Sequence, residues 1–457
     1  MYDLIIEGAT VVTAAGSRKM NVAVRGGRFE AMAVPGTQVE ARQRVSAEGL
    51  WMLPGAIDGH VHFRAPAYSH WETFETGSRA AAAGGITTVI EMPVSTPSVA
   101  DVETLEMRRS VGERESHVDF GLYAAGAILN RRVTQDLADA GAAAYKIYTI
   151  GLPEDRAPDY VGLEVKGNSQ LYQAFADVAT TGLRVAVHCE DDELAAFFTE
   201  RLKAAGRVDP SAHSESRPPV VEAASVARII ALAEDTGVRV HIAHISTREA
   251  VEMVAGAKER GVDITAETCP HYLMFTARDQ ERAGPYARMN PPLRHHEDVY
   301  TLWDALQSGV VDSVASDHGP FQAADKEKDT IWQVPPGVPG IEMVVPVVLS
   351  GAVNGLITPE AATAVLAVNP ARAFGLAEQK GDIRLGLDAD FILFDPTVSR
   401  RVDINSLFTK ARECCRLYQG LSLKGQITAT YVRGTQVFDG ESIVGPAGHG
   451  RFVAPAR

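Results

Sequence analysis

Short apolar runs near both ends of the chain alternate with polar residues in a pattern typical of β-strands. Residues 1–50 hold several such runs separated by turn signals, for example Arg25-Gly26-Gly27, as expected for a small antiparallel sheet. Residues 380–457 have the same character, with apolar runs at 391–394 and 428–432. We therefore predict that residues 1–50 and 380–457 together form one composite β-sandwich domain.

The middle of the chain, residues 51–379, alternates β-prone apolar runs with longer stretches typical of helices. This alternation predicts an α/β fold of the (β/α)8 TIM barrel type, whose usual length is about 250 residues. A doubly wound open sheet is the alternative that the same pattern allows. The predicted barrel strands cover residues 52–57, 87–91, 118–123, 143–148, 184–188, 239–244, 262–267 and 311–317.

Composition and charge narrow the class of protein. The chain has 457 residues, of which 46% are hydrophobic and 22% are charged, and this composition excludes disorder as the main state. A formal net charge of −14 argues against nucleic acid or an anionic membrane as the partner, because both require clustered Lys and Arg. We expect a small-molecule partner instead.

Cysteine usage and the N-terminal sequence bear on the compartment. Four cysteines are too few and too badly spaced for a disulfide framework, so a reducing environment fits best. Asp3 and Glu7 stand where a signal peptide would have a basic segment followed by unbroken apolar residues. No apolar run in the sequence reaches the ~20 residues of a membrane span. We expect a cytoplasmic protein.

Histidines and an aspartate follow four of the predicted barrel strands. His60 and His62 lie two positions apart, so their imidazoles share one face of an extended strand and can bind one metal ion. A lone pair of this kind also occurs by chance, as surface or packing histidines. His188, His244 and Asp317 end three further strands, and the C-terminal strand ends of a barrel meet at one mouth. Together these five side chains predict a metal centre.

Lys146 lies inside the apolar fourth strand. An amine buried there loses solvation and its pKa falls, so the neutral form can act as a nucleophile or take up carbon dioxide as a carbamate. The carbamate is an anionic oxygen ligand that can bridge two metal ions. Two alternatives remain open: a lysine that extends to solvent at the barrel rim, and an unmodified lysine beside a mononuclear, deaminase-like site.

Five segments of the sequence together carry a family signature: Asp58-Gly59-His60-Val61-His62 and residues 71–88, 267–273, 290–294 and 316–320. These segments resemble the cyclic amidohydrolases of the amidohydrolase superfamily. That group includes allantoinases, hydantoinases, dihydropyrimidinases and dihydroorotases, and the likeness covers nearly the whole chain. It implies metal-dependent ring opening of a cyclic amide by a homotetramer or homodimer.

The resemblance also implies roles for the candidate ligands. His60 and His62 would bind the more buried metal ion, and His188 and His244 the more exposed one. Carboxylated Lys146 would bridge the two ions. Asp317 would complete the first site and act as the catalytic, proton-shuttling base. Two zinc ions are expected, although iron, cobalt or manganese also suit nitrogen and oxygen ligands.

Departures from the patterns of individual members bear on the substrate. Dihydroorotases usually have Glu and Asn where this chain has Ala65 and Val94, so half of a carboxylate clamp is missing although Arg64 is present. Dihydropyrimidinases and D-hydantoinases usually have an oxyanion-stabilising Tyr where this chain has Gly151. The sequence looks most similar to allantoinases, then to the L-hydantoinase type, and least to dihydroorotases. Tyr148 or Thr149 would have to supply the oxyanion donor.

Other residues are assigned to the substrate pocket or to packing. We expect Arg64, Asn290, Gly337 and Gly340 to contact the substrate, with the glycines in a loop after the eighth strand that has a plain connector as its alternative. Glu190 and His271 are candidates for orienting a ligand imidazole, and His241 is expected to pack on the opposite side of its strand. Solvent-facing positions are predicted for His70, His117, His213, His295, His296 and His449.

A different class of function remains as an alternative. Some superfamily members have lost their metal ligands and serve as homotetrameric scaffolds without hydrolytic activity. The complete ligand set in this chain argues against that role.

Overall fold

The computed structural model describes residues 1–456 and contains two eight-stranded sheets joined by helices. None of the helices in this described part has the length and apolar character required to cross a bilayer. The strands are β1 (Tyr2–Thr13), β2 (Gly16–Arg25), β3 (Arg28–Ala33), β4 (Ala41–Ser46), β5 (Trp51–Pro54), β6 (Ala56–Val61), β7 (Ile86–Glu91), β8 (Asp119–Ala125), β9 (Ala144–Tyr148), β10 (Arg184–His188), β11 (Arg239–Ile242), β12 (Ile264–Thr268), β13 (Ser313–Val314), β14 (Phe391–Arg401), β15 (Ser422–Val432) and β16 (Thr435–Phe438).

Helices follow most of the barrel strands. The α-helices are α1 (Phe74–Ala83), α2 (Val102–Glu115), α3 (Arg131–Asp139), α4 (Asn168–Ala179), α5 (Asp192–Ala204), α6 (Pro210–Glu215), α7 (Pro219–Thr236), α8 (Arg248–Glu259), α9 (Pro270–Met274), α10 (Ala277–Ala283), α11 (His296–Ser308), α12 (Ala323–Lys326), α13 (Val344–Val353), α14 (Pro359–Thr363) and α15 (Asn369–Ala373). Short 3-10 turns cover Glu154–Tyr160, Gly284–Ala287, Ile331–Gln333, Ile341–Met343, Ile404–Ser406 and Arg412–Tyr418, and a π turn covers Ala364–Val368.

Strands β6 to β13 form a closed parallel barrel. They pair in chain order, and the first strand meets the end of the last where the His62 amide donates to the His318 carbonyl at 3.0 Å. A doubly wound sheet would have a crossover in its strand order, so the (β/α)8 prediction is confirmed. Strands β6, β7, β8 and β10 are buried at every position, as expected for parallel strands covered on both faces.

Side-chain caps start the helices directly after two of the strand ends that matter for the site. The Asp191 carboxylate accepts from the Leu194 amide at the start of α5, and the Thr247 hydroxyl accepts from the Ala250 amide at the start of α8. These caps satisfy amides that lack partners at a helix N-terminus. Only two residues separate each cap from the preceding His188 or His244, so the caps fix short loops at the barrel mouth.

The second sheet combines strands from both ends of the chain. Its order is β16-β15-β14-β5-β1-β2-β3, and β4 also pairs with β1. The sheet folds around its own apolar core, in which the Phe391 ring stacks on Tyr431 with centroids 4.4 Å apart and contacts Phe29 at 6.2 Å. The exact domain boundaries stay a prediction, with residues 1–50 and 380–457 in the β-sandwich domain and residues 51–379 in the barrel domain.

The predicted first barrel strand, residues 52–57, is wrong as a single strand. Trp51–Pro54 pairs with β1 and β14 in the second sheet, and the barrel strand begins at Ala56. Gly55 makes the break: its amide donates to the Asp390 carbonyl at 2.9 Å. A Cβ there would lie 2.2 Å from Thr87 Oγ1, so only glycine lets the chain pass this close to β7.

Candidate active site

The strand ends bring the predicted metal ligands together at the barrel mouth. Nε2 of His60 and Nε2 of His62 each lie 3.2 Å from Oδ1 of Asp317. Nδ1 of His188 lies 3.0 Å from Nε2 of His244, and the rings of His60 and His244 have centroids 5.4 Å apart. Side chains from four separate strand ends therefore form one buried cluster.

Lys146 lies beneath this cluster with a fully buried side chain. Its Nζ has no hydrogen-bond partner among the described residues. Burial lowers the pKa of Lys146 to about 8, against the opposing effect of Asp317 and Glu267. The residue does not extend to solvent at the rim, which was the alternative for this lysine.

Left-handed backbone conformations turn three of the site residues toward the mouth. Arg64, His244 and Asp317 have φ values of 57°, 38° and 45°, a region that costs a non-glycine residue about 1–3 kcal/mol. The neighbouring structure must hold these conformations in place. The expectation that His241 packs on the opposite side of its strand from His244 is wrong. Nε2 of His241 lies 3.1 Å from Oε2 of Glu267, and because the backbone turns at His244, both histidines face the barrel interior.

Buried carboxylates hold the imidazoles from behind. Glu267 Oε1 lies 2.5 Å from Nδ1 of His60, and Glu190 Oε2 lies 2.8 Å from Nε2 of His188. Burial by itself raises the pKa of both carboxylates. The nearby His and Arg side chains have the opposite and larger effect, so both pKa values lie below their usual range. Such carboxylates fix the ring orientation and the tautomer of a ligand histidine. They leave Nε2 of His60 and Nδ1 of His188 facing the cluster.

Glu190 therefore contacts the candidate ligand His188, as expected for a residue that would orient it, whereas within the described part of the chain His271 contacts none of the candidate imidazoles. The His271 ring stacks edge-on against Tyr272, with centroids 4.3 Å apart, and neither nitrogen has a partner among the described residues. Glu267 was not singled out from the sequence. Its position at the end of β12 was the available signal, because that strand end opens into the same mouth.

A hydrogen-bonded bridge joins the first and last barrel strands under Asp317. Oδ1 of Asp58 accepts from the amides of His60, at 3.1 Å, and Ser316, at 3.0 Å. The Ser316 hydroxyl donates to the His60 carbonyl at 3.2 Å. These bonds place Asp317, the next residue, beside the two histidines of β6 and the loop that follows it.

The donor set fits divalent metal ions. Ligand atoms of His60, His62 and Asp317 all lie within 4.8 Å of one another, and nitrogen and oxygen donors of this kind suit zinc and related ions. Burial lowers the pKa of His62 to about 3, so its imidazole is neutral, as ligation requires. Burial raises the pKa of Asp317, but His60 and His62 outweigh that effect and keep it a carboxylate.

A cavity of 710 Å³ opens above the cluster. Four of the predicted substrate-site residues line it: Arg64, Tyr148, Asn290 and Gly337. Gly340 does not line the cavity. Its amide faces Nδ1 of His318 at 3.3 Å, and a Cβ there would lie 3.2 Å from the Tyr418 hydroxyl, so it packs behind the wall.

Thr149, the second candidate for the oxyanion donor, is also turned away from the cavity. Its hydroxyl contacts the carbonyls of His188 and Glu190 at 2.8 and 2.9 Å. Tyr148 is the candidate that remains at the cavity wall, with its ring stacked on His188 at 5.5 Å between centroids. Burial raises the pKa of Tyr148 well above its usual value, so the phenol keeps its proton.

Sequence analysis did not identify three arginines that line the cavity. The residues are Arg156, Arg217 and Arg288, which line the cavity wall. All three lie outside the barrel strands, in segments with no periodic pattern that singles out one arginine.

The expectation that His117 and His213 face solvent is wrong, because both are buried. Nε2 of His213 lies 2.8 Å from the Met289 carbonyl and supports the segment that carries Arg288.

Comparison with known proteins shows which family this chain belongs to. The model of the Amidohydrolase family matches residues 51–437. The chain belongs to the amidohydrolase family. An allantoinase of Rubrobacter xylanophilus is 38% identical over 100% of this chain and 98% of that protein. An L-hydantoinase of Paenarthrobacter aurescens is 32% identical over 99% of this chain and 98% of that protein.

Solved structures of the same family share the fold. The L-hydantoinase (dihydropyrimidinase) from Arthrobacter aurescens superposes with a TM-score of 0.95 at 30% identity and covers 99% of this chain and 100% of that one. A D-hydantoinase superposes with a TM-score of 0.89, also at 30% identity, and covers 99% of this chain and 98% of that one. The resemblance to cyclic amidohydrolases noted in the sequence is confirmed.

Proposed function

We propose that this protein opens the ring of a cyclic ureide by metal-dependent hydrolysis, with allantoin as the substrate and allantoate as the product. The convergence of His60, His62, His188, His244 and Asp317 over the buried, unpartnered Lys146 carries this proposal. Allantoinases at 32–38% identity over nearly the full chain support the choice of allantoin.

The cluster would hold two divalent metal ions, with zinc as the first choice and iron, cobalt or manganese as alternatives. His60, His62 and Asp317 would hold one ion, and His188 and His244 the other. When bound, the ions supply an activated water and polarise the amide carbonyl. Lys146 would bridge them as a carbamate, because a desolvated amine with a pKa lowered to about 8 has a neutral fraction that reacts with carbon dioxide.

Protein side chains then move protons and hold charge. Asp317 is a carboxylate in this setting and accepts the proton of the attacking water. It returns the proton to the ring nitrogen as the amide bond breaks, a general-base and then general-acid sequence. The protonated phenol of Tyr148 would donate to the negative oxygen that develops on the carbonyl, and a donor of this kind contributes ~2.7–4 kcal/mol to transition-state binding.

Hydrolysis of 5-substituted hydantoins to N-carbamoyl amino acids is the second candidate. The superposition with an L-hydantoinase at a TM-score of 0.95 favours it. Dihydroorotate ranks third, because Val94 stands where the Asn half of a carboxylate clamp would be, and because Ala65 replaces the Glu of the dihydroorotase motif. We further propose that the protein is cytoplasmic and forms a homotetramer or a homodimer. Light scattering after size-exclusion chromatography measures the mass of the assembly and so tests its subunit number.

A hydrolysis panel tests the proposal. Protein loaded with zinc in the presence of bicarbonate is assayed against allantoin, 5-substituted hydantoins, dihydrouracil and dihydroorotate. We expect the highest kcat/KM with allantoin and two metal ions per chain. Activity confined to dihydroorotate would overturn the substrate, and fewer than one ion per chain with no turnover would favour a scaffold.

A further inference from the structure

The cavity above the metal-ligand cluster has an excess of positive charge. Outside the cluster its described lining includes the cationic side chains of Arg64, Arg156, Lys203, Arg217 and Arg288, whereas Asp155 is the acidic residue. A pocket built only for a neutral ring with an alkyl or aryl substituent needs no such charge.

Two of these arginines form what we call the arginine pair, Arg217 and Arg288. Arg156, by contrast, is neutralised by Asp159, with Nε 2.7 Å from Oδ2. Arg217 has one contact of 3.2 Å to Glu190, which also binds His188. Arg288 has no carboxylate oxygen within 4 Å among the described residues and donates through Nη1 to the carbonyls of Ile331 and Val334.

The arginine pair also keeps donors without acceptors. Nε of Arg217 and Nε of Arg288 are buried with no partner among the described residues, and the Nη2 atoms of the two donate to no described residue. The two cations repel each other: burial, and then Arg217, lower the pKa of Arg288 to about 9. A protein region that leaves two adjacent guanidinium groups short of oxygen atoms is suited to an oxygen-bearing ligand.

We propose that the arginine pair determines substrate specificity by binding the substituent on the hydantoin ring. The substituent carries a planar oxygen acceptor, either a ureido carbonyl or a carboxylate, rather than an alkyl or aryl group. This inference rests on the proposed function, since it concerns the same cavity. It extends that function by assigning two residues to the part of the substrate that does not react.

Arg288 is the better residue to change, because Arg217 also contacts Glu190 and through it His188. The assay compares wild type, Arg288→Met and Arg288→Lys with three substrates: allantoin, hydantoin-5-acetic acid and 5-isopropylhydantoin. Arg400→Met is the matched control, since that guanidinium also has a buried Nε without a partner among the described residues but lies outside the cavity.

We expect Arg288→Met to lower kcat/KM for allantoin or for hydantoin-5-acetic acid by about 10- to 150-fold, mainly through KM, as expected for a hydrogen bond to a charged donor. Turnover of 5-isopropylhydantoin stays unchanged, and Arg288→Lys recovers part of the loss. The substrate that loses more identifies the ureido group or the carboxylate. An equal loss on all three substrates means that Arg288 only supports the loop, and overturns the inference.

Two further outcomes separate this inference from the proposed function. A wild-type preference for 5-isopropylhydantoin over both oxygen-bearing substrates overturns the inference and leaves cyclic-amide hydrolysis intact. If no substrate turns over, the proposed function fails, and calorimetric binding of hydantoin-5-acetic acid to metal-loaded protein then decides. Weaker binding by Arg288→Met than by wild type supports the arginine pair as an oxygen site, and equal binding overturns it.

Discussion

Glu267→Gln removes one negative charge behind His60 and leaves the side-chain volume almost unchanged. Glu267 Oε1 lies 2.5 Å from Nδ1 of His60, and both side chains are about 1% exposed, so solvent does not screen the contact. Loss of a carboxylate that orients a ligand histidine costs about 10- to 100-fold in metal affinity, equivalent to ~1.4–2.7 kcal/mol. We expect a loss in that range, and a parallel loss of activity at limiting zinc.

Competition of the metal-free protein with a chromophoric chelator measures this affinity. Glu342→Gln is a matched control, because Glu342 is a buried carboxyl outside the cluster that accepts from the Phe408 amide at 2.9 Å. Burial raises its pKa to about 8, so at neutral pH glutamine replaces a group that is already uncharged. An unchanged zinc affinity in Glu267→Gln, or an equal loss in Glu342→Gln, would refute the reasoning.

Three other outcomes follow from buried groups. Lys146→Met should abolish hydrolysis yet raise the unfolding free energy of the metal-free protein by about 1–3 kcal/mol, because it removes an unpartnered buried amine; denaturant titration checks this, and a lower stability contradicts it. The pKa of Glu342 is raised from 4.5 to about 8, so this residue adds stability that is fully present below pH 4.5 and is lost as the pH rises through 8. Glu342→Gln should therefore flatten the pH dependence of the unfolding free energy of the metal-free protein between these pH values. Gly55→Ala should destabilise by about 1–3 kcal/mol through contact with Thr87, whereas Gly256→Ala inside α8, where the atom nearest to the added Cβ is 3.5 Å away, should not; equal losses of melting temperature would disprove the close contact.

Much of the fold could be predicted because the barrel strands are short and buried on both faces. Continuous apolar runs marked β7 to β12 to within a few residues, and the histidines that follow them marked the barrel mouth. The run at 52–57 was misassigned because periodicity cannot show which sheet a strand joins. Pairing of Trp51–Pro54 with β14 depends on residues more than 330 positions later in the chain.

The residues of the cavity wall were harder to predict than the cluster beneath them. Arg64, Asn290 and Gly337 reach the cavity, but Gly340 lies three residues beyond Gly337 in the same loop and packs behind the wall. A glycine has no side chain whose chemistry shows which way the loop turns. The position of Gly340 follows from its contacts with His318 and Tyr418, which only the folded chain provides.

By itself the sequence determined the period of the apolar runs and the kinds of side chain at the strand ends, and from these a barrel with candidate metal ligands at its mouth could be predicted. These features are local, because strand geometry and ligand chemistry depend on residues within a few positions of one another. Tertiary structure alone decided that Glu267 supports His60 from 207 positions away, and that Arg217 and Arg288 meet in one wall. Those contacts depend on how strand ends and loops converge in space, and no short segment of the chain encodes that convergence.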